Sequence, residues 1–240
     1  MKQFDVRTLR GAALGLILAT IGALTACGSD SNNDKDSDTE MASFEISVTN
    51  LSANQPLSPL AALLHDANYQ AWSLGGAASL GLELLAEGGD NSDFIGADSA
   101  MLMASASGSA PVGPGGSDTI TVSAHVAAVM QITLASMLVN SNDGFTGTSG
   151  LDVSALAVGD SMQHYLPIYD AGTEANDEMA GTIPGPADGG EGFNALRDDV
   201  DYVARHPGVV TQGDGYTSSV LVESHRFDAP IAKLVVKRLK

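Results

Sequence analysis

The chain has 240 residues, 44% hydrophobic and 17% charged, with a mean hydropathy of +0.08. That is too apolar for a wholly disordered protein, and a single cysteine with no Gly-x-y period excludes a disulfide scaffold or a collagen. Lys and Arg number 11 against 29 Asp and Glu, so the net charge of −18 repels phosphate backbones and argues against nucleic acid as a partner. Aromatics are 5% of the chain, with Trp72 the sole tryptophan, which disfavours stacked-base or sugar platforms.

The first segment is an address. Lys2, Arg7 and Arg10 form a positive region, and Gly11 to Leu24 is apolar, uncharged and too short to span a bilayer comfortably. Leu24-Thr25-Ala26-Cys27 follows, and the whole resembles the bacterial lipoprotein signal with its lipobox. The resemblance implies cleavage after residue 26 and acylation of Cys27, the only cysteine in the chain. It also implies attachment to the cell envelope. Gly28 stands where an aspartate would hold a lipoprotein at the inner membrane, which points to the outer membrane.

Residues 27–43 read as an acidic flexible tether, since Gly28 to Thr39 contains no apolar residue. Asp34, Asp36, Asp38 and Glu45 imitate an EF-hand spacing. Thr39 replaces the glycine that such a loop needs, and no helical pattern flanks it, so a solvated charge run is the better reading.

Residues 44–240 are enough for one domain with a substantial core. Phe44 to Asn50 alternates apolar and polar residues and predicts a half-buried strand. After Pro56 and Pro59 comes an apolar region, Leu60 to Leu64. Ala77 to Glu87 has helical composition, with Gly88-Gly89 as its stop. A Gly/Pro turn cluster spans Pro111 to Gly116, Ser117 to Ala124 alternates again, and Gln131 to Val139 is apolar and partly β-branched. Asn140 to Gly150 is rich in turn formers. Tyr216 to Phe227 and Ile231 to Leu239 read as strands. Several strands, long polar loops and one or two helical stretches predict a mainly β fold, an antiparallel β-sandwich.

Two loops place acids in glycine-containing turns after strand-like runs. One is Ser136 to Gly147, with Asp143; the other is Leu166 to Glu174, with Asp170 and Glu174. Calcium takes six to eight oxygens from carboxylates and loop carbonyls, and Asp170 and Glu174, four apart in a tight loop, suit one side of such an ion. At these residues the sequence resembles the spondin domain, the N-terminal adhesive module of F-spondin and mindin. The Ser-x-Asp-Trp-Phe-x-Gly loop of that family appears as Ser141-Asn142-Asp143-Gly144-Phe145-Thr146-Gly147, and its Asp-Ala-Gly-Thr-Asp loop as Asp170-Ala171-Gly172-Thr173-Glu174. Trp72 to Gly89 looks like the family's helical segment, and Ala229 to Leu239 like its last strand. The resemblance covers Phe44 to Leu239. It implies an antiparallel β-sandwich and a calcium ion held by Asp143, Asp170 and Glu174. Glu174 departs from the family's aspartate, Gly144 from its tryptophan, and no second cysteine is available for the family's extracellular disulfides.

Enzyme readings find little. Gly159-Asp160-Ser161-Met162 invites comparison with GDSL hydrolases, but none of His65, His125, His164, His206 and His225 has an aspartate three residues before it. There is no His-Glu-x-x-His, P-loop or dinucleotide glycine pattern. Asp198-Asp199 could imitate a glycosidase pair, though a solvated face is the simpler reading. The role of the acidic stretch Asp188 to Asp201 stays open. The resulting expectation is a non-enzymatic, lipid-anchored, calcium-binding module that contacts the membrane through Cys27 and binds a surface or matrix protein or glycan. The alternatives are a structural envelope lipoprotein whose calcium only stiffens loops, and an uncharacterised hydrolase.

Overall fold

The computed structural model describes residues 40–240; the signal segment, Cys27 and the acidic run to Thr39 lie outside the described residues. Twelve elements follow in chain order: β1 (Met41–Asn50), β2 (Ala61–His65), α1 (Leu80–Gly88), α2 (Ser92–Ile95), β3 (Leu102–Ser107), β4 (Ser117–His125), β5 (Gln131–Met137), β6 (Gly144–Asp152), β7 (Ser161–Leu166), β8 (Ile168–Asp170), β9 (Ala204–Arg205) and β10 (Ala232–Arg238). They form two sheets, one in the order β4-β1-β10-β7 and one in the order β3-β2-β5-β6-β8-β9. Every named pair in both is antiparallel, as the alternating patterns predict.

β1 shows how pattern becomes fold. Its even-numbered residues, Ala42, Phe44, Ile46 and Val48, are fully buried, while Ser43, Glu45, Ser47 and Thr49 face outward. A period of two puts one face on the core. On the outer face Ser47 and Thr49 hydrogen-bond the hydroxyls of Thr119 and Ser117 on β4, at 2.9 and 2.8 Å. The inner faces of both sheets meet in one apolar cluster that includes Phe44, Ile46, Leu64, Ile132, Leu134, Leu234 and Val236.

The six-stranded sheet is apolar on both faces. β2 and β5 are buried along nearly their whole length, because α1, α2 and an aromatic group cover the outer side. Ser79 caps α1, its hydroxyl accepting from Leu82 N, and Gly89 ends the helix in the left-handed region at φ +68°. Trp72, in the loop ahead of α1, meets Phe145 and Tyr169 edge-on, with ring centroids 5.2 and 5.6 Å apart.

Two expectations need correction. Asn140 to Gly150 is not all turn: β6 begins at Gly144 and runs through it. A Cβ at Gly147 would lie 2.1 Å from Leu134 O and 3.1 Å from a Trp72 ring carbon, so the glycine is what lets β6 pass between them. Tyr216 to Phe227 is not a strand. It is irregular chain with a 3-10 turn at Glu223–His225, and its Leu221 packs in a small separate cluster with Ile183 and Val209. β3, β7 and the short β8 and β9 are additions to the sequence reading. No helix among the described residues is long and apolar enough to cross a membrane.

Candidate functional site

β5 leaves the sheet at Met137, and β6 returns at Gly144. Between them Asn140, Ser141, Asn142 and Asp143 are all buried. Ser141 makes this turn: its hydroxyl donates to Leu138 O at 2.6 Å and accepts from Gly144 N at 3.0 Å. The register of β6 against β8 pairs Gly144 with Asp170. Asp143 and the loop that starts at Asp170 are thereby side by side, and Ala171 N donates to Asp143 O at 3.3 Å. Sheet pairing therefore unites the two predicted loops.

The second loop is folded onto Asp143. Its Oδ2 accepts from Thr173 N at 2.8 Å, from Glu174 N at 3.2 Å and from the Thr173 hydroxyl at 3.3 Å. Asp170 accepts from Gly172 N at 2.8 Å and from Asn176 Nδ2 at 2.6 Å. Gly172 turns the loop at φ +70° and packs so closely on Tyr202 that a Cβ would lie 2.3 Å from its carbonyl oxygen. Asn142 ties the third predicted residue in place, its Nδ2 reaching Glu174 Oε1 at 3.3 Å and Thr182 Oγ1 at 3.2 Å.

Glu87 completes the cluster, and the sequence reading missed it. It is the last acidic residue of α1, fully buried, and its Oε2 accepts from Asn194 N at 2.9 Å. The segment around Asn194 crosses over it. Asp198 belongs to the same crossing, since its Oδ1 accepts from Ala175 N at 3.0 Å. The acidic stretch whose role was open is therefore a wall of the site. The sequence did hold one signal: Glu83 and Glu87, four apart, put like charges on one helix face with no cation nearby in sequence. In the fold Arg197 supplies it, donating to Glu83 at 2.5 and 3.0 Å.

Enclosed oxygens are left over. Asp143 Oδ1, Glu174 Oε2 and Glu87 Oε1 are buried with no hydrogen-bond partner among the described residues. Burial, then the nearby Asp170, pushes the Asp143 carboxyl up to about 7. Burial, together with Glu87, Asp143 and Asp177, pushes Glu174 up to about 8. Burial also raises Glu87, and burial with Asp170 raises Asp199. Carboxylates this enclosed demand a counter-charge or a proton. Among the described residues no group of three or more His, Cys, Asp or Glu side chains forms a ready-made metal cage. In this arrangement Asp143 uses one oxygen, and Asp170 both, to hold the second loop.

The histidines take separate places. His65 is buried on β2, bonded through Nε2 to Thr133 Oγ1 at 2.8 Å. His206 lies beside the first loop, where a Cβ on Gly144 would meet its ring at 3.1 Å. The same Cβ would lie 2.6 Å from Ser141 Oγ, so a tryptophan at position 144 would displace the hydroxyl that makes this turn. Ser161, of the hydrolase comparison, begins β7 opposite Lys237.

An antiparallel sandwich with its acidic loops gathered at one end is the class of protein that fold and site define. The family model Spondin_N matches residues 50–181, more than half of the chain, and the chain belongs to the spondin N-terminal domain family. The matched stretch contains Glu87, Asp143, Asp170 and Glu174. No curated protein matches the chain.

Proposed function

We propose that this chain is a lipid-anchored, calcium-binding spondin-type module of the bacterial envelope that holds a protein or glycan partner at the cell surface. The observation that carries the metal reading is the set of enclosed, unpartnered oxygens on Asp143, Glu174 and Glu87. Hard carboxylate oxygens with no nitrogen or sulfur among them suit calcium, and the adjoining loops offer carbonyls to complete its shell. Asp143, Asp170, Glu174 and Glu87 would hold the ion. Bound calcium supplies the positive charge that the buried carboxylates lack. Asp143 and Asp170 brace the second loop through its N–H groups, and Asn142 positions Glu174. The exposed rim of these loops, with Met179 and Leu196, is then held in one conformation for a partner.

Calorimetry of calcium into chelator-stripped mature protein tests this. Saturable binding of about one ion, weakened by Asp143→Asn, is the expected result; no binding heat at any pH from 6 to 8 overturns it. The anchor is tested separately. Cys27→Ser is expected to move the protein from the membrane to the soluble fraction, since one thiol carries the attachment. Unchanged fractionation and N-terminal mass overturn the lipoprotein reading.

A further inference from the structure

The sandwich has two unlike ends. β5 runs about 20 Å from Gln131 toward the acidic loops. At its other end the registers gather Met41 with His125, Lys237 with Ser161, and Gln131 with Asp152. The described chain enters here, and Val126 N donates to Glu40 O at 2.7 Å. This end carries the run Val126-Ala127-Ala128-Val129-Met130, in which Val126 and Val129 are each 40% exposed. Val158, 62% exposed, and Leu239 are also bare at this end, and Val126 itself lines a groove with Met41, Met103, Ala127, Ser123 and His125. A run of four apolar residues with three of them exposed, Val126, Ala128 and Val129, is unexplained in a monomer unless something covers it.

Charge separates the ends as well. Lys237, Arg238 and Lys240 stand at this end and take part in none of the ion pairs among the described residues. Glu40, Glu45, Asp66, Asp98, Asp152 and Asp160 lie around them, so the end is acidic only weakly. The opposite end holds Glu87, Asp143, Asp170, Glu174, Asp177, Glu178, Asp198 and Asp199, within a chain of net charge −18.

We propose that the apolar end is a membrane-contact face, with the Val126–Val129 loop seated in the interfacial layer of a phospholipid bilayer and the acidic loops pointing away from it. This rests on the anchoring reading: twelve residues separate Cys27 from Glu40, so Glu40 and its bonded neighbour Val126 are the described residues that the anchor reaches with the least chain, within at most about 45 Å. Lipid is the occupant that the position selects, because the exposed loop is hydrogen-bonded to the residue at which the tether joins. Lys237 and Lys240, both exposed, then face lipid phosphates while the acidic pole is held off an anionic surface.

The test uses the full mature chain in vesicles of phosphatidylethanolamine and phosphatidylglycerol. Val126→Cys and Leu196→Cys are each labelled with a polarity-sensitive maleimide dye and quenched by nitroxide-bearing lipid. The label at 126 is expected to shift to the blue and to quench about threefold more than the label at 196, as for side chains about 5–10 Å into the interface. Equal quenching at both positions in membrane-bound protein overturns the proposal and leaves the anchor standing, as does a concentration-dependent blue shift at 126 without lipid quenching, which marks a second copy as the occupant. Failure of the anchor shows separately, as soluble protein whose own Cys27 takes the label. In that case vesicles are added from outside, and an unchanged label at 126 overturns the proposal while a quenched one supports it.

Discussion

The interior between the two sheets and the buried cluster at the loop end are enclosed to the same degree, yet they are built on opposite principles. Phe44, Ile46, Leu134 and Leu234 pack in one apolar cluster, and burial itself supplies their stability. Asp143, Glu174 and Glu87 are buried too, but each keeps an oxygen with no hydrogen-bond partner among the described residues. The first region is complete as folded. The second needs its buried carboxyls protonated, hydrated or neutralised, and the sheets act as a frame that holds them at fixed spacing.

Gly147→Ala attacks the frame and carries the largest expected effect. The added carbon meets a backbone carbonyl, which cannot swing aside, so β6 must leave β5. A loss of about 4 kcal/mol or more, or failure to fold, is expected in urea unfolding. A tolerated alanine would mean that β6 is free to shift and that the frame does not set the site.

Acid separates the regions next. His206 is only partly exposed, its Nε2 is enclosed without a partner, and burial holds its pKa down at about 4. The unfolded chain, with histidine near 6.5, binds more protons between those values. Stability from His206 is therefore full above pH 6.5 and falls as the pH drops toward 4, by at most about 3 kcal/mol. The measurement is the difference between wild type and His206→Gln, so that the buried carboxylates, which shift the other way, cancel. Parallel pH profiles would show the ring to be hydrated.

A calcium titration tests the second region alone. At a hundredfold excess over Kd, a ligand specific to the folded state stabilises it by about 2.7 kcal/mol. Thermal unfolding in chelator and in calcium should show that gain in the wild type, and most of it should vanish in Asp170→Ala. Because the carboxylates must be ionised to bind, the gain should shrink as the pH falls through the range of about 8 to 7, where Glu174 and Asp143 take up protons. Asp152→Ala, on the far end of β6, is the control and should keep the gain.

The smallest effect tests the covering layer. Ser79→Ala removes the α1 cap and should cost about 1 kcal/mol in the same unfolding measurement, with calcium affinity unchanged, because Glu87 sits at the other end of the helix.

Much of the frame was legible in the sequence. β1, β4 and β10 alternate, and α1 carries its stop signal, so local pattern and fold agree there. β6 was hidden because its three glycines, Gly144, Gly147 and Gly150, answer to close packing rather than to strand propensity. Tyr216 to Phe227 misled in the other direction: its apolar residues serve a small cluster of their own. Asp143, Asp170 and Glu174 were readable as loop motifs, and the pairing of Gly144 with Asp170 brings their loops together. Glu87 was not, because its burial is made by a segment about a hundred residues downstream, and no local pattern encodes a crossing of that kind.

β9 is the last strand of the six-stranded sheet and has only two residues, Ala204 and Arg205, with Pro207 following almost at once. Proline has no N–H to give, and two residues cannot template a ladder, so this border of the sheet cannot recruit a strand from a neighbour. Chance encounters between copies are thereby kept from growing into continuous cross-molecular sheets across this border.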